Sequence, residues 1–279
     1  MEPLSSTILA ATGLLVLATA ALAQPDPVRD IGSRLELFVD DWLIAELRGV
    51  QLRLHHPTPQ EICLQFNEPW EGSTCAYVTA FQDGQLYRMY YRGSDFDWGT
   101  RRSTHPEFAC YAESTDGIHW TKPKLGLFEF RGSKDNNIIW AGPGCHNFTP
   151  FKDTNPRCPP DARYKALGLH NKALLAFKSP DGIHWSLLRE EPVITHGAFD
   201  SQNLAFWDPI AGCYRAYYRG FRDGVRDILT ATSPDFINWD DEKQQWLDYG
   251  DAPKEHLYTN AIQPYFRAPH ILLGFPNRF

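Results

Sequence analysis

The chain has 279 residues, and its 34 Asp and Glu residues outnumber its 27 Lys and Arg residues, which gives a formal net charge of −7. The sequence contains no basic stripe that could neutralise phosphates, so nucleic acid is not expected as a partner. Aromatic residues make up 14% of the chain. We interpret these residues mainly as packing groups of β-sheets, and in second place as surfaces for stacking against sugar rings.

The N-terminal residues predict a secretion signal that is not part of the fold. Residues 5–23 are uncharged and mostly small or apolar, and they close with Ala21-Leu22-Ala23, an A-x-A cleavage pattern. We therefore predict a signal peptide over residues 1–23 and a secreted or periplasmic location. Because the preceding region holds Glu2 and no Lys or Arg, an uncleaved membrane anchor is the alternative. Contact with a membrane is expected only in that case.

The mature chain is predicted to begin with strands. Residues 35–39 predict an opening strand, and a four-stranded unit follows further along the chain. In that unit Asp83-Gly84 joins two runs rich in aromatic and β-branched residues, a strong hairpin signal because glycine accepts a positive φ. The four predicted strands of the unit cover residues 76–82, residues 85–92, residues 107–113 and a run that begins at Ile118.

A seven-residue phrase recurs almost unchanged and marks repeated units. It has the common form Ser-Xaa-Asp-Gly-Xaa-Xaa-Trp and occurs at residues 114–120, 179–185 and 233–239, with Phe236 in place of glycine in the third copy. Its aspartate is predicted to accept backbone N–H bonds inside the turn, as a structural residue. Its tryptophan is predicted to wedge between neighbouring units, where a large area is removed from water.

Further strands are predicted around each copy of this phrase. Those of the second unit cover residues 163–170 and 173–178 and a strand at Trp185. Those of the third unit cover residues 202–207, 213–219 and 226–232 and a strand at Trp239. A fourth unit begins at residues 257–262 and continues through residues 271–275.

Four antiparallel strands per unit, used repeatedly, predict an all-β fold of the β-propeller type. The alternative is a β-sandwich with three similar hairpins. About three and a half blades can be counted, so residues 24–279 are predicted to form an incomplete propeller. A bare strand edge would be left open. Either the chain is a fragment of a longer protein, which we prefer, or a second copy completes the ring.

The cysteines permit disulfides without predicting a metal site. The six cysteines suit an oxidising compartment, and Cys145 and Cys158 are the best pair because they share one loop rich in Pro and Gly. Cys110 and Cys213 are interpreted as buried thiols in strands. The spacing of the six cysteines is not of the zinc type, so a metal site through sulfur is not predicted. No cofactor is predicted for the chain.

Several motifs together resemble a family of secreted bacterial proteins related to glycoside hydrolase family 32, which lies in the five-bladed propeller clan of families 32 and 43. The motifs that carry the resemblance are residues 37–41, 69–72, 114–120, 136–139, 200–203, 258–260 and 274–276. The Trp-Met-Asn-Asp-Pro-Asn-Gly block of family 32 fructosidases is absent from the sequence. The resemblance implies a five-bladed propeller and a carbohydrate ligand or substrate.

Chemistry is expected where the innermost strands of the blades begin, because those positions converge on the propeller axis. A glycosidase needs two facing carboxyl groups, one protonated and one ionised. The predicted catalytic residues are Asp200 as base or nucleophile and Glu71 or Glu255 as acid. The predicted substrate-binding residues are Asp40, Asp41, Gln202, Asn203, His256 and Asn260. His146, Asn147 and Asp153 flank the second inner strand.

Each candidate carboxylate also has a structural interpretation. Glu71 could accept turn N–H bonds, Asp200 could cap a turn, and Glu255 could be a solvated loop charge. The function predicted from the sequence is therefore that of a secreted carbohydrate-active protein of glycoside hydrolase type. The alternatives are a non-catalytic propeller that binds glycan or protein, and an inactive fragment of a longer hydrolase.

Overall fold

The computed structural model describes residues 28–279, so the signal peptide predicted over residues 1–23 lies outside the described residues. The chain divides into two compact units, with the boundary between His55 and His56. In the first unit, residues 28–55 form no strand, and Leu35, Phe38 and Val39 are exposed. The opening strand predicted over residues 35–39 is therefore wrong, because no strand of the described chain pairs with it. Within residues 28–279, no helix has the length and apolar character needed to cross a membrane.

The second unit begins with a four-stranded antiparallel sheet, blade 1. Its four strands are β1 (Ala76–Asp83), β2 (Leu86–Gly93), β5 (Phe108–Ser114) and β6 (Ile138–Ala141). A short hairpin of β3 (Phe96–Asp97) and β4 (Arg102–Ser103) is inserted between β2 and β5. The sheet order is β1-β2-β5-β6. The predicted hairpin at Asp83-Gly84 is confirmed, since Asp83 pairs with Leu86 and Gly84 has a φ of 65°.

The outermost strand of blade 1 is not the one predicted from Ile118. After the repeated phrase, only Thr121 bridges to the sheet, opposite Glu113. The indole N–H of Trp120 donates to the Gly117 carbonyl and keeps this segment in its turn. The sheet is therefore completed by β6, which pairs with β5 from much further along the chain.

Blades 2 and 3 repeat the architecture. Blade 2 consists of β7 (His146–Lys152), β8 (Tyr164–His170), β9 (Ala173–Ser179) and β10 (Ser186–Leu187), with a 3-10 turn at Pro160–Ala162. Blade 3 consists of β11 (Leu204–Asp208), β12 (Cys213–Arg222), β13 (Val225–Ser233) and β14 (Gln245–Trp246), with a 3-10 turn at Asp241–Lys243. The strand predicted at Trp239 is wrong, because the outer position of blade 3 belongs to β14, which pairs with β13.

The last part of the described chain forms two small sheets. They consist of β15 (Leu257–Tyr258) paired with β18 (Asn277–Arg278), and of β16 (Gln263–Tyr265) paired with β17 (Ala268–Leu273). The innermost strands of successive sheets are neighbours, since β7 contacts both β1 and β11, and β11 contacts β16. The all-β prediction of four-stranded antiparallel blades is therefore confirmed.

The repeated phrase has the structural role predicted for it. In the second copy, Oδ1 of Asp181 accepts the backbone N–H of Ile183 and of His184, and Oδ2 lies 2.7 Å from the His184 ring. The Trp185 ring contacts Tyr90 of blade 1 and Phe148 of blade 2 at centroid distances of 6.4 and 5.0 Å. This tryptophan therefore joins the aromatic cores of two blades.

The disulfide predicted between Cys145 and Cys158 is wrong, because all six cysteines are free thiols. Cys145 precedes the seven-residue strand β7 and Cys158 follows it. A strand of that length places its two ends roughly 20 Å apart, far beyond the reach of a disulfide. The Cys145 thiol donates to the Glu107 carbonyl and the Cys158 thiol to the Ala162 carbonyl.

Candidate functional site

A cavity of about 390 Å³, here called the axial cavity, lies where inner strands begin. Its walls are formed by Ala76, Tyr77, Val78, Arg92, Gln202, Tyr258 and Thr259. Tyr77 and Thr259 have positive φ angles of 58° and 55°. Residues other than glycine adopt this backbone at a cost of about 1–3 kcal/mol each, and such positions cluster at functional sites. In β1 the distortion is a break in register between Ala76 and Thr79.

The same distortion recurs at the start of β7, where it turns His146 toward two carboxylates. Asn147 has a φ of 53°, and the register with β8 shifts between His146 and Thr149. His146 Nδ1 lies 2.6 Å from Oε2 of Glu107, and His146 Nε2 lies 3.1 Å from Oδ1 of Asp200. These three side chains are called the His146 cluster below.

The charges of the His146 cluster reinforce one another. Burial opposes the imidazolium, but the hydrogen bond and charge of Glu107 and the bond to Asp200 outweigh it and raise the pKa of His146. Burial likewise opposes ionisation of Glu107, yet the bond to His146 and the charge of Arg92 lower the pKa of that carboxyl. The raised pKa of His146 and the lowered pKa of Glu107 both favour an imidazolium paired with a carboxylate. Because both ring nitrogens are engaged, the cluster does not form a metal-binding group within residues 28–279.

Arg92 connects the cluster to the wall of the axial cavity. One guanidinium nitrogen, Nη1, donates to Oδ1 of Asn147 at 3.1 Å and lies 3.6 Å from Oε1 of Glu107. The other, Nη2, donates to the Thr74 carbonyl at 3.2 Å. The guanidinium also lies 4.8 Å from the centre of the Tyr77 ring, an arrangement that favours a cation–π contact. Arg92 is thus fixed by partners in blades 1 and 2.

Two tyrosines meet on the wall of the cavity. The hydroxyl oxygens of Tyr77 and Tyr258 are 2.5 Å apart. Burial, the bond to Tyr258 and the negative charge of Asp200 all raise the pKa of Tyr77. At this distance one of these hydroxyls donates to the other, and within residues 28–279 the second hydroxyl proton has no acceptor, so it can be donated to a ligand. Hydroxyl, amide and guanidinium groups beside aromatic rings are the usual walls of a pocket for a polar ligand.

Of the residues predicted from sequence, Gln202 lines the axial cavity, and Asp200, which does not line it, belongs to the His146 cluster. The Asp200 side chain is 69% exposed and faces the solvent beside the cluster. Gln202 forms part of the cavity wall and donates from Nε2 to the Val78 carbonyl and to the Thr79 hydroxyl. The carboxylate predicted as base is therefore open to a ligand, and the predicted binding amide is in the cavity.

Asn203 and Asn260 lie nearby but are buried in backbone contacts. Asn203 donates to the carbonyls of Phe199 and Ser201. Asn260 donates to the carbonyls of Gln202 and Tyr217. Both amides therefore brace the chain that carries the cavity walls, and neither forms part of the cavity wall.

Glu71 is not brought together with Asp200. Its carboxylate is fully buried and accepts hydrogen bonds from the Tyr91 hydroxyl at 2.6 Å and from the Glu68 backbone at 2.8 Å. Lys122 Nζ lies 2.7 Å from the same carboxylate. These contacts match the structural interpretation of Glu71, whose carboxylate is not in the wall of the axial cavity.

The remaining predicted residues lie elsewhere. Glu255 is half exposed and paired with Arg278 at 2.8 Å, and His256 stacks on Phe279. Asp40 and Asp41 belong to the unit of residues 28–55, where Asp40 accepts the Trp42 backbone N–H at 3.0 Å. Asp153, which closes the second inner strand, is buried against Lys165 and the Tyr214 hydroxyl. None of these residues contributes to the wall of the axial cavity.

The structure adds functional candidates that the sequence analysis did not assign. Glu107 is the second carboxylate of the cluster, and Tyr77 and Tyr258 form the hydroxyl pair. Arg92 is a further candidate, and the Tyr-Tyr-Arg-Gly phrase that contains it recurs at Arg219. Arg219 bonds to the Ala198 carbonyl, whereas Arg92 reaches the cavity. The signal that could have identified Glu107 is its position directly before β5, at the end of the blade where Arg92 lies.

Comparisons with known proteins leave the family of the chain open. No family model matches it. Over 76 residues it is 45% identical to the uncharacterized proteins MT1551 and Rv1502, from two strains of Mycobacterium tuberculosis. The matched segment is 27% of this chain and 24% of each relative, so the similarity extends over about a quarter of those proteins.

Solved structures whose backbones are similar to that of this chain over part of its length include several glycoside hydrolases. One is Zg3597, a family 117 glycoside hydrolase produced by Zobellia galactanivorans, with 15% identity and a TM-score of 0.47 over 71% of this chain and 54% of that one. Another is a fructofuranosidase variant from Schwanniomyces occidentalis, with 15% identity and a TM-score of 0.45 over 63% and 35%. A glycosyl hydrolase from Bacteroides ovatus has 16% identity and a TM-score of 0.40 over 75% and 61%. The blade architecture described above rests on the sheets of this chain alone.

Proposed function

We propose that the protein is a secreted glycoside hydrolase that binds a sugar in the axial cavity and cleaves a glycosidic bond beside the His146 cluster. The observation that carries the proposal is the position of Asp200 and Glu107 on opposite sides of one imidazole, next to a cavity with polar and aromatic walls. Glycosidases act through two carboxyl groups separated by about 5–9.5 Å. In the proposed site Asp200 supplies one of these groups, and His146 takes the place of the other as the source of the proton.

The roles follow from exposure and charge. Asp200 is the exposed carboxylate and is assigned as the base that activates an attacking water. His146, whose pKa is raised by its two carboxylate neighbours despite its burial, is the group of the cluster that is favoured as proton donor. It is assigned as the acid that protonates the leaving oxygen through Nε2 once a bound sugar displaces Asp200 from that nitrogen, while Glu107 orients the ring through Nδ1 and stabilises its positive charge. Hydrolysis then adds water across the bond, with one proton passing to Asp200 and one leaving His146.

The remaining walls are assigned to binding. Arg92 offers a donor to sugar hydroxyls, Gln202 offers its side-chain oxygen as an acceptor because its Nε2 already donates to Val78 and Thr79, and the Tyr77 ring offers an aromatic surface beside them. Secretion is part of the proposal and is supported by the uncharged run of residues 5–23 with its A-x-A end. Sequencing the N-terminus of the exported protein tests that part, and a start at Gln24 is expected.

Hydrolysis of a glycan panel by the full chain tests the proposed activity. Labelled oligosaccharides of glucan, mannan and fructan are incubated with the wild type and with Asp200→Asn and His146→Gln, and reducing ends are measured. We expect cleavage of at least one glycan by the wild type, and binding without cleavage by Asp200→Asn. Binding without cleavage by the wild type itself would instead establish a non-catalytic glycan-binding propeller. No binding and no cleavage would exclude both.

A further inference from the structure

The β3–β4 hairpin carries an exposed aromatic ring that the proposed chemistry does not use. Trp98 is 75% exposed, although its indole packs edge-on against Phe96 with a centroid distance of 4.9 Å. One surface of the indole is therefore supported and the rest is open to solvent. A tryptophan held in this way offers a large contact area with little further loss of conformational freedom on binding.

The hairpin is held firmly by two aspartates. Asp95 accepts the Ser73 backbone N–H at 2.8 Å and the Thr104 hydroxyl at 2.6 Å. Asp97 accepts the Gly99 backbone N–H and the Thr100 hydroxyl, both at 2.8 Å. These bonds fix the base and the tip of the hairpin. Trp98 is therefore held in position without a hydrophobic core inside the hairpin.

The base of the hairpin is bonded to the chain that enters the axial cavity. The hairpin leaves the end of β2 directly after the Arg92 and Gly93 pairs with β5. The Thr74 backbone N–H donates to the Ser94 carbonyl at 2.9 Å, and the Thr74 carbonyl accepts Arg92. Two residues after Thr74, the chain forms the cavity wall at Ala76. Trp98 thus belongs to the same end of blade 1 as the cavity and the His146 cluster.

We infer that Trp98 is a second sugar-binding position, which stacks against a ring of an oligosaccharide whose reacting end occupies the axial cavity. The inference rests on the proposed function and makes it more specific, because it assigns an oligosaccharide or polysaccharide as the substrate class. Flat, partly apolar sugar faces match an exposed indole, and the net charge of −7 disfavours a nucleic-acid base as the stacking partner.

Binding of sugars of different length to the full chain tests the inference. The probes are labelled disaccharides and hexasaccharides of β-1,4-glucan, β-mannan and β-2,1-fructan, measured by fluorescence anisotropy. For the glycan that binds, Trp98→Ala is expected to weaken hexasaccharide binding about tenfold and to leave disaccharide binding unchanged. Trp98→Phe, which keeps an aromatic ring, is expected to retain most of the hexasaccharide affinity. Ile210→Ala serves as the matched control, because it removes another exposed apolar side chain, at the turn between β11 and β12.

The outcomes separate the inference from the proposed function. Unchanged hexasaccharide affinity in Trp98→Ala, or equal weakening for both lengths, overturns the role of Trp98 while cleavage by the wild type still supports the hydrolase. A wild type that binds no probe of either length overturns both. Thermal unfolding of the variants shows whether they are folded, and Trp98 is exposed enough that its removal leaves the aromatic cores of the blades intact.

Discussion

Oδ1 of Asp200, just before the inner strand of blade 3, lies 3.1 Å from Nε2 of His146 at the start of blade 2. The same ring bonds through Nδ1 to Glu107 of blade 1. One imidazole therefore connects three successive blades at a single point. Trp185 joins blades 1 and 2 through apolar contacts, whereas this junction is polar and links three blades.

Replacing Asp200 by Asn separates catalysis from folding. The side chain is exposed and makes one bond, so the free energy of unfolding is expected to change by less than about 1 kcal/mol. If Asp200 is the base, kcat falls by about a hundredfold to ten-thousandfold with KM little changed. Steady-state kinetics on the glycan that the wild type cleaves provide the measurement. Activity within a factor of about two of the wild type would remove Asp200 from the mechanism.

The blade repeat could be predicted because its signals are local. The Asp83-Gly84 turn and the aspartate of the repeated phrase each act on residues within a few positions in sequence. The outer strands β6 and β14 could not be predicted in the same way. They pair with β5 and β13 only after the intervening chain has passed through loops, so their register depends on contacts far apart in sequence.

The site was only partly predictable for a similar reason. Asp200 and Gln202 precede an inner strand, and this position alone was the basis for predicting that they lie near the propeller axis. Glu107 directly precedes β5, which is a strand inside the blade. It reaches the cluster because β5 pairs with β2 in the register that sets Ala109 opposite Arg92. Glu71 obeys the rule for inner strands, but a buried lysine and a tyrosine hydroxyl hold it away from the cavity wall.

The stability of the protein is expected to depend on the protonation of His146. Its pKa is raised in the folded protein above its usual value of 6.5, so its bonds stabilise the fold fully below that pH. This contribution is lost as the pH rises through the raised pKa. The lowered pKa of Glu107 sets the acid limit, because its contribution is lost as the pH falls through that value.

Chemical denaturation from about pH 5 to about pH 9 checks this dependence. The free energy of unfolding of the wild type should fall relative to that of His146→Gln as the pH rises above the usual histidine value. His170→Gln is the control, because Nε2 of His170 bonds to the Asn171 side-chain amide and not to a carboxylate. Parallel pH profiles for the wild type and His146→Gln would show that the imidazolium does not stabilise the fold.

Glu71 is expected to matter for stability and not for binding. Glu71→Gln removes the carboxylate partner of Lys122, and the side chain of Glu71 is fully buried. Removing one member of a buried pair typically destabilises a protein by about 3–5 kcal/mol. Glu255→Gln is the control, since its pair with Arg278 is half exposed and is worth less than about 1 kcal/mol. Urea unfolding of both variants provides the comparison, and equal losses would contradict the distinction.

Phe236 takes the glycine position of the repeated phrase, with a φ of 68° and a fully buried side chain. Its ring contacts Phe151 of blade 2 and Tyr214 of blade 3 at centroid distances of 5.5 and 5.3 Å. Phe236→Gly would relieve backbone strain of about 1–2 kcal/mol, but it would remove a buried ring worth about 3–5 kcal/mol. We therefore expect a net loss of about 1–4 kcal/mol in urea unfolding. Gln244→Gly, at an exposed position with a φ of 45°, should change stability by less than about 1 kcal/mol. A stabilised Phe236→Gly would show that strain outweighs packing at the contact between the blades.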